Sequence, residues 1–210
     1  MDEQLSYLNQ AIIAWYCFWW PYFISGVSFQ KLSDRPVEHL GKVSIQLIVN
    51  LLGSLIFTIV IGCIVDILGY SAANSGIWWP YQIVVSLWLL EVWFYYSHLL
   101  AHCRWLYRRI HKPHHKFREP YALTGVYCSL TEMLLVNMMA VAIGPIVTGM
   151  SGWLLWSWIT IIAINTTASH SGLVIPYVSS GTHDIHHQHL NKNYGILGIL
   201  DRIHGTYKAP

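Results

Sequence analysis

Five long apolar stretches restrict this chain to a helical bundle within a bilayer. A helix needs about 20 mostly apolar residues to cross the hydrocarbon core, and helices satisfy their backbone groups internally, as lipid requires. The composition agrees: 54% of the 210 residues are hydrophobic and only 10% are charged, whereas soluble domains carry about 25% charged residues. The predicted spans are residues 11–28, 44–69, 77–99, 131–149 and 152–169.

The fold class predicted from these stretches is all-α, an integral membrane helical bundle with one domain over residues 1–210. The turn Thr148-Gly149-Met150-Ser151-Gly152 between the last two stretches is tight. The bundle therefore has four to five spans, or three spans and a helical hairpin. The polar segments 100–130 and 170–210 are predicted to form a histidine-rich helical cap at one end.

The basic residues predict which way the bundle faces. All twelve are placed at the cap end: Lys31, Arg35, Lys42, Arg104, Arg108, Arg109, Lys112, Lys116, Arg118, Lys192, Arg202 and Lys208. The opposite loops 1–10, 70–76 and 149–151 contain none. Because cytoplasmic loops carry the excess of Lys and Arg, the cap is predicted to be cytosolic, on the endoplasmic reticulum in a eukaryotic host. A net charge of +2 gives no reason to expect a nucleic-acid partner.

Three histidine blocks and one further histidine point to metal chemistry. They are His98 and His102 in HLLAH, His111, His114 and His115 in HKPHH, His170 in SHSG, and His183, His186 and His187 in HDIHH. Side chains three and four residues apart share a helix face, so these blocks can converge and supply nitrogens for two metal ions. A divalent metal ion is the partner that uses several neutral imidazoles together. The alternative is a set of interfacial histidines that contact lipid headgroups.

Imidazole suits iron, zinc, copper and nickel, so the ligand type alone leaves the metal open. Metal-bound rings need hydrogen-bond acceptors that fix their tautomers. Glu91, Asp184 and Asp201 are candidates for that role. His189 is either a tenth ligand or solvent-facing, the second being favoured slightly.

The order of these motifs resembles the fatty acid hydroxylase superfamily of membrane di-iron oxygenases, also called the sterol desaturase family. Its members carry HxxxH, HxxHH, an HSG-like signature and a second HxxHH. The ending HDIHHQHLNKNYGILGILDRIHGTYK is similar to the family's HDxHH…NYG…DRxxGT, and the resemblance covers roughly residues 85–208. The HSG and HDxHH forms are most similar to those of cholesterol 25-hydroxylase and the C-4 methylsterol oxidases.

The resemblance implies two iron ions, held by the nine histidines of the motifs, that use O2 to hydroxylate or oxidise a lipid C–H bond. Zinc can replace iron in purified protein. A sterol is the favoured substrate, and a lipid desaturase or a fatty acid or sphingolipid hydroxylase is the alternative. Electrons would come from NAD(P)H through a reductase, often by way of cytochrome b5. The basic segment 104–118 suits an acidic donor, and it suits lipid headgroups equally well.

Two positions depart from the family pattern. Some fatty acid hydroxylases have a histidine four residues before the HSG histidine, where this chain has Thr166 beside Asn165. One metal ion would then be completed by water or by Asn165, which favours the sterol-type branch. Many members also have His-Pro before the glutamate that opens the fourth span, where this chain has Ser129-Leu130.

Two functions outside the oxygenases are also considered. A metal transporter needs ionisable groups along its route at mid-depth, and here the spans hold only Asp66, Glu91 and a few amides. A catalytically inactive, metal-binding family member is the other alternative. The complete set of histidine motifs argues against it.

Overall fold

The computed structural model describes residues 5–68 and 78–210, and across them the regular structure is helical with no β-strand. The all-α prediction is confirmed. Five long helices form the bundle: α1 (Tyr7–Leu32), α2 (Leu40–Ile67), α3 (Trp79–Ala101), α4 (Leu130–Thr148) and α5 (Gly152–His170). Two shorter helices follow, α6 (Thr182–His189) and α7 (Ile199–His204).

Three of the long helices, α2, α3 and α4, are long and apolar enough to cross a membrane. They correspond to the predicted spans 44–69, 77–99 and 131–149, although residues 69 and 77 and the loop 70–76 lie outside the described residues. The predicted spans 11–28 and 152–169 are helical, as α1 and α5, but they are not among the three. Three membrane-length helices support a membrane protein, while the number of crossings and the cytosolic orientation of the cap stay predictions.

The long helices alternate in direction, so one end of the bundle collects the ends that carry histidine. α1 packs along both α2 and α5, and α3 packs along α4. At the opposite end Asp66, in the last turn of α2, accepts hydrogen bonds from the backbone N–H groups of Tyr7 (2.7 Å) and Leu8 (3.1 Å). This carboxylate occupies the position where the first N–H groups of a helix need acceptors.

The connection from α3 to α4 folds over the cap end in short irregular turns. α3 ends at Ala101, and a helical turn at Arg104–Leu106 continues as a π-helix over Tyr107–His111. Pro113 lacks a backbone N–H and cannot continue a helix, and a 3₁₀ turn follows at His114–Lys116. The interruption redirects the chain between the first histidine of HKPHH and its last two.

Candidate metal centre

Nine histidines gather at the cap end in two adjacent groups. The first group is His98, His102, His111, His115 and His186, and the second group is His114, His170, His183 and His187. Within each group one ring nitrogen from every member lies within 4.8 Å of the others. These are the same nine residues that the sequence motifs indicate.

Each HxxHH block is divided between the two groups. His111 and His115, four residues apart, join the first group, whereas His114 between them joins the second. The HDIHH block is divided in the opposite sense, since its outer pair joins the second group and His186 the first. The two groups therefore adjoin, and the ring centroids of His115 and His187 are 4.7 Å apart.

Backbone carbonyls fix the tautomer of four of these rings. A carbonyl oxygen only accepts hydrogen bonds, so a ring nitrogen bonded to it must carry the proton, which leaves the lone pair on Nε2. Such Nδ1–H bonds run from His98 to Tyr194 (2.8 Å), from His186 to Lys192 (2.7 Å), from His170 to Thr166 (2.8 Å) and from His187 to Phe117 (3.0 Å). Each Nε2 is thereby presented to its group.

A buried carboxylate performs the same task for a fifth ring. The His111 Nδ1 atom lies 2.8 Å from Oε1 of Glu132, and the two side chains are only 1% and 3% exposed. Glu132 lies in the first turn of α4, where Ser129 accepts a hydrogen bond from its backbone N–H (3.2 Å). In the sequence this glutamate is recognisable only as the residue that opens the fourth span. A carboxylate beside an apolar stretch was the signal for a buried partner.

The donor set fits divalent metal ions. In the first group the His111 Nε2 atom lies 3.1 Å from that of His98, 2.9 Å from that of His102 and 2.8 Å from that of His115. Converging lone pairs repel each other unless a cation lies between them.

The rings are also in the protonation state that binds metal. Burial, together with the smaller effect of the nearby His98, lowers the pKa of His102 from 6.5 to about 3. Burial likewise holds the pKa values of His186 and His187 well below the usual range. All three rings are therefore neutral at pH 7, as metal ligation requires.

Two of the three candidate carboxylates, Glu91 and Asp201, accept hydrogen bonds from backbone N–H groups rather than from the rings. Glu91 is fully buried and accepts four backbone N–H bonds from the turn that leads into α7, those of Ile196, Leu197, Ile199 and Leu200. Asp201 accepts the N–H groups of Tyr194 (2.8 Å) and Gly195 (2.7 Å). A Cβ at Gly195 would lie 2.7 Å from Glu91 Oε1, so only glycine fits here. Together these contacts position the Tyr194 carbonyl that orients His98.

The other candidates lie outside both groups. Asp184 forms an ion pair with Arg35 (2.8 Å) and thereby ties α6 to the turn between α1 and α2. The Asn165 side-chain amide donates to the Val178 carbonyl. His189 is exposed, and its Nε2 accepts a hydrogen bond from the Lys208 ammonium (2.7 Å).

An elongated cavity of about 270 Å³ leads from the two groups into the bundle. Histidines of both groups line one end, and most of the wall is apolar. α1 lines it from Tyr7 to Trp19, a distance of about 18 Å at 1.5 Å per helical residue. The cavity therefore runs parallel to the helices, through the part of the bundle that membrane-length helices surround.

A bundle with membrane-length helices that ends in two buried groups of neutral imidazoles defines a membrane-embedded, metal-binding protein. The chain belongs to the fatty acid hydroxylase family, whose model matches residues 83–206. The resemblance seen in the motifs is thus confirmed.

Several curated proteins are similar to this chain. Fatty acid hydroxylase domain-containing protein 2 of Homo sapiens is 38% identical over 130 residues, which are 61% of this chain and 39% of that protein. Methylsterol monooxygenase 2-2 of Arabidopsis thaliana is 31% identical over 141 residues, 61% of this chain and 53% of that protein. A very-long-chain aldehyde decarbonylase of Oryza sativa subsp. indica is 31% identical over 140 residues, 60% and 52%. The chain thus spans about two fifths to one half of these relatives. No solved structure matches it.

Proposed function

We propose that this chain is an O2-dependent lipid oxygenase with two iron ions. The net reaction joins a lipid C–H bond, O2, two electrons and two protons to give a lipid C–OH group and water. The observation that carries the proposal is that both histidine groups open on a cavity whose walls are apolar and lie among membrane-length helices. A lipid bound in this cavity would therefore meet the metal centre in apolar surroundings.

Iron, when bound, would supply the O2 activation that protein side chains lack. The chain's own part is to hold and orient the ligands and to exclude water. His98 and His186 are fixed by backbone carbonyls, and Glu132 fixes His111. Because the cavity is narrow, a bound lipid is aligned along the helices, which supplies the positioning on which such a reaction depends.

We propose a sterol or a similar lipid as the substrate. The length of the cavity and the similarity to a methylsterol monooxygenase support this choice. The sequence adds Thr166 at the position where some fatty acid hydroxylases have another histidine. An acyl-chain hydroxylase or desaturase is the alternative, and the similarity to an aldehyde decarbonylase supports long-chain chemistry of that kind.

The test removes one ligand from each group. His186→Ala and His114→Ala should each lower the iron content of the purified protein and abolish the lipid product, because each leaves one group short of a nitrogen. His189→Ala is the matched control, since this ring lies outside both groups. Cells that express each variant would be compared by lipid mass spectrometry for a product that has gained one oxygen or lost two hydrogens. Full activity of His186→Ala would refute the proposal.

We also propose that an acidic electron donor, cytochrome b5 or its reductase, docks on the exposed basic turn that precedes the second histidine block. Arg104, Arg108 and Arg109 are exposed there. Trp105 is 64% exposed, and the Arg109 guanidinium lies 4.1 Å from the centroid of its ring. Tyr107 connects this surface to the first group, with its ring centroid 5.6 Å from that of His102 and 5.9 Å from that of His115. Charge complementarity of this kind speeds association.

Charge reversal tests the docking surface. Arg108→Glu should slow reduction by cytochrome b5 at low ionic strength and leave the anaerobic reduction of the metal centre by the small reductant dithionite unchanged. Lys42→Glu, an exposed charge change at the start of α2, is the control. If Arg108→Glu weakens binding to anionic vesicles but leaves the cytochrome b5 rate unchanged, the basic turn contacts lipid headgroups and the docking proposal is wrong.

A further inference from the structure

The segment that follows the last histidine block exposes several apolar side chains. Ile196, Leu197 and Ile199 are exposed, and Ile203 is 66% exposed. We call residues 195–204, which contain α7 and the irregular turn before it, the C-terminal turn. The sequence assigns this segment to the polar cap. An exposed apolar patch on a protein surface indicates a contact with a partner or with a membrane.

Hydrogen bonds fix the level of the C-terminal turn along α3. The chain enters the turn from Tyr194, whose carbonyl lies beside His98. At its tip the turn binds the carboxylate of Glu91 through the four backbone N–H groups described above. Glu91 precedes His98 by seven residues, so it lies about 10 Å deeper in the bundle at 1.5 Å per residue. α7 then returns toward the cap, since Nε2 of His204 is 3.1 Å from the Tyr96 hydroxyl.

Exposed aromatic residues indicate where the bilayer surfaces cross α3. Trp79 and Tyr96 are exposed near the two ends of this helix, and Trp and Tyr are enriched at membrane–water interfaces. They are seventeen residues apart, which corresponds to about 26 Å and is close to the thickness of the hydrocarbon core, about 30 Å. Glu91 lies five residues inward from Tyr96. The tip of the C-terminal turn is therefore about 7 Å below the cap-side surface at 1.5 Å per residue.

The exposed face of α3 continues onto the C-terminal turn. Val92 packs against the buried cluster that contains Leu200. Trp88 and Val84 precede Val92 by four and eight residues, so they lie on the same face of the helix, and both are exposed. Because α3 is long and apolar enough to cross a membrane, lipid that covers this face extends directly onto the turn.

The backbone of the C-terminal turn suits surroundings without water. Irregular backbone at membrane depth needs acceptors from the protein, since lipid offers none. Glu91 and Asp201 are fully buried, and together they accept six backbone N–H bonds from residues 194–200. In water the solvent itself could satisfy exposed N–H groups. Two buried carboxylates used for this purpose therefore fit a turn that lies in lipid.

The cation of the C-terminal turn is also engaged by the protein. The Arg202 guanidinium donates to the Gly198 carbonyl (2.9 Å) and lies 3.9 Å from the centroid of the Tyr207 ring. Charged side chains at membrane depth pair with backbone carbonyls or with one another. The apolar stem of an arginine can also lie along lipid while its charge reaches the surface. Arg202 is thus compatible with a turn in the bilayer.

We propose that the C-terminal turn re-enters the bilayer at the cap end of α3, where the acyl chains of membrane lipids cover its exposed apolar side chains. Glu91 replaces water as the acceptor for its backbone. The metal centre then lies at the bilayer surface, because His98 is two residues, about 3 Å, beyond Tyr96. This inference is independent of the reaction proposed above.

Photolabelling of the unmodified, metal-loaded chain in phosphatidylcholine nanodiscs tests the position of the turn without turnover. One probe is a phosphatidylcholine with a diazirine in the upper half of an acyl chain, and the other is a water-soluble diazirine. The lipid probe should label Ile196, Leu197 and Ile199. The water-soluble probe should label Gln188, which is exposed on α6, and should not label the turn.

Two results would overturn the proposal. Labelling of the turn by the water-soluble probe to the same extent as Gln188 would place it in solvent. A turn that neither probe labels would be covered by a protein surface, such as a second copy of this chain, rather than by lipid.

A substitution tests the role of Glu91. Glutamine has nearly the same size but replaces one carboxylate oxygen, which accepts two of the four N–H bonds, with an amide donor. Glu91→Gln should shift labelling of the turn from the lipid probe to the water-soluble probe, while Val84 keeps its lipid label. Ser97→Ala is the matched control on α3, because this hydroxyl bonds to the Phe94 carbonyl of its own helix (3.3 Å), and it should keep the native pattern. Unchanged lipid labelling of the turn in Glu91→Gln would refute this role.

Discussion

Replacing Glu132 with leucine removes the acceptor that orients one ring of the first histidine group. Glu132 Oε1 lies 2.8 Å from the His111 Nδ1 atom, with both side chains almost fully buried. Leucine has a similar size but no acceptor, so the Nδ1–H group would be left buried and unpaired. Glutamine keeps an acceptor oxygen at the same distance from the backbone, and Glu132→Gln is therefore the matched variant.

The expected loss of metal affinity follows from the free-energy cost of leaving a buried N–H donor without an acceptor. That cost is about 1–3 kcal/mol, and about 1.4 kcal/mol corresponds to a factor of ten. The metal affinity of the first group should therefore fall between about 5-fold and about 100-fold, similar to the about 10–100-fold effect of losing a partner of a ligand ring. His111 belongs only to the first group, so the second group should keep its affinity.

Chelator competition on the purified protein would measure both affinities, and elemental analysis would count the ions bound. The native chain and Glu132→Gln should bind two ions tightly. Glu132→Leu should bind one ion tightly and one weakly. Met133→Leu, a volume-conserving change at the next buried residue of α4, should match the native chain.

Two results would refute the reasoning. Unchanged affinity at both groups in Glu132→Leu would mean that the hydrogen bond does not orient His111 for metal. Equal weakening of both groups would mean that the substitution acts through the whole fold rather than through one ring.

Three further predictions concern the second group, the cap and the effect of pH. Gly125→Ala places a Cβ 2.9 Å from Thr166 Cγ2 and 3.3 Å from the His170 Nδ1 atom. Chelator competition should therefore show weaker metal binding at the second group alone. A change in affinity confined to the first group would contradict this. Glu91→Gln replaces one carboxylate oxygen, which accepts two backbone N–H bonds, with an amide donor. The free energy of unfolding should fall by about 2–5 kcal/mol, which lowers the Tm by about 5–15 °C. An unchanged thermal melt would show that the turn before α7 does not depend on this carboxylate. In the metal-free protein, burial lowers the pKa of His102 from 6.5 to about 3, so the unfolded state binds a proton below pH 6.5 that the folded state does not. The free energy of unfolding should then fall by up to about 1.4 kcal/mol per pH unit for this histidine between about pH 6.5 and pH 3, and denaturation at pH 7.5 and 5.5 with equal midpoints would refute it.

The helical bundle and the nine histidines of the two groups could be predicted from the sequence. Apolar stretches of about 20 residues are a local property of the sequence, and in lipid a helix satisfies their backbone groups internally. The histidine blocks are local as well, because spacings of three and four residues place side chains near one another within a turn. Their shared position at one end followed from the alternating direction of consecutive helices.

How those residues are used depends on packing between distant segments of the chain. The division of each HxxHH block between the two groups depends on the crossing of α6 with the 3₁₀ turn at His114–Lys116, a contact between distant segments. The hydrogen-bond acceptor of His111 is Glu132, whereas Glu91 binds the backbone near α7. Which acceptor a ring meets depends on the groups that packing brings close to it. Four of the rings use backbone carbonyls, which every residue possesses, so nothing in a side-chain sequence marks them. The cavity arises in the same way, from side chains that meet only when five helices and the segment before α6 have packed together.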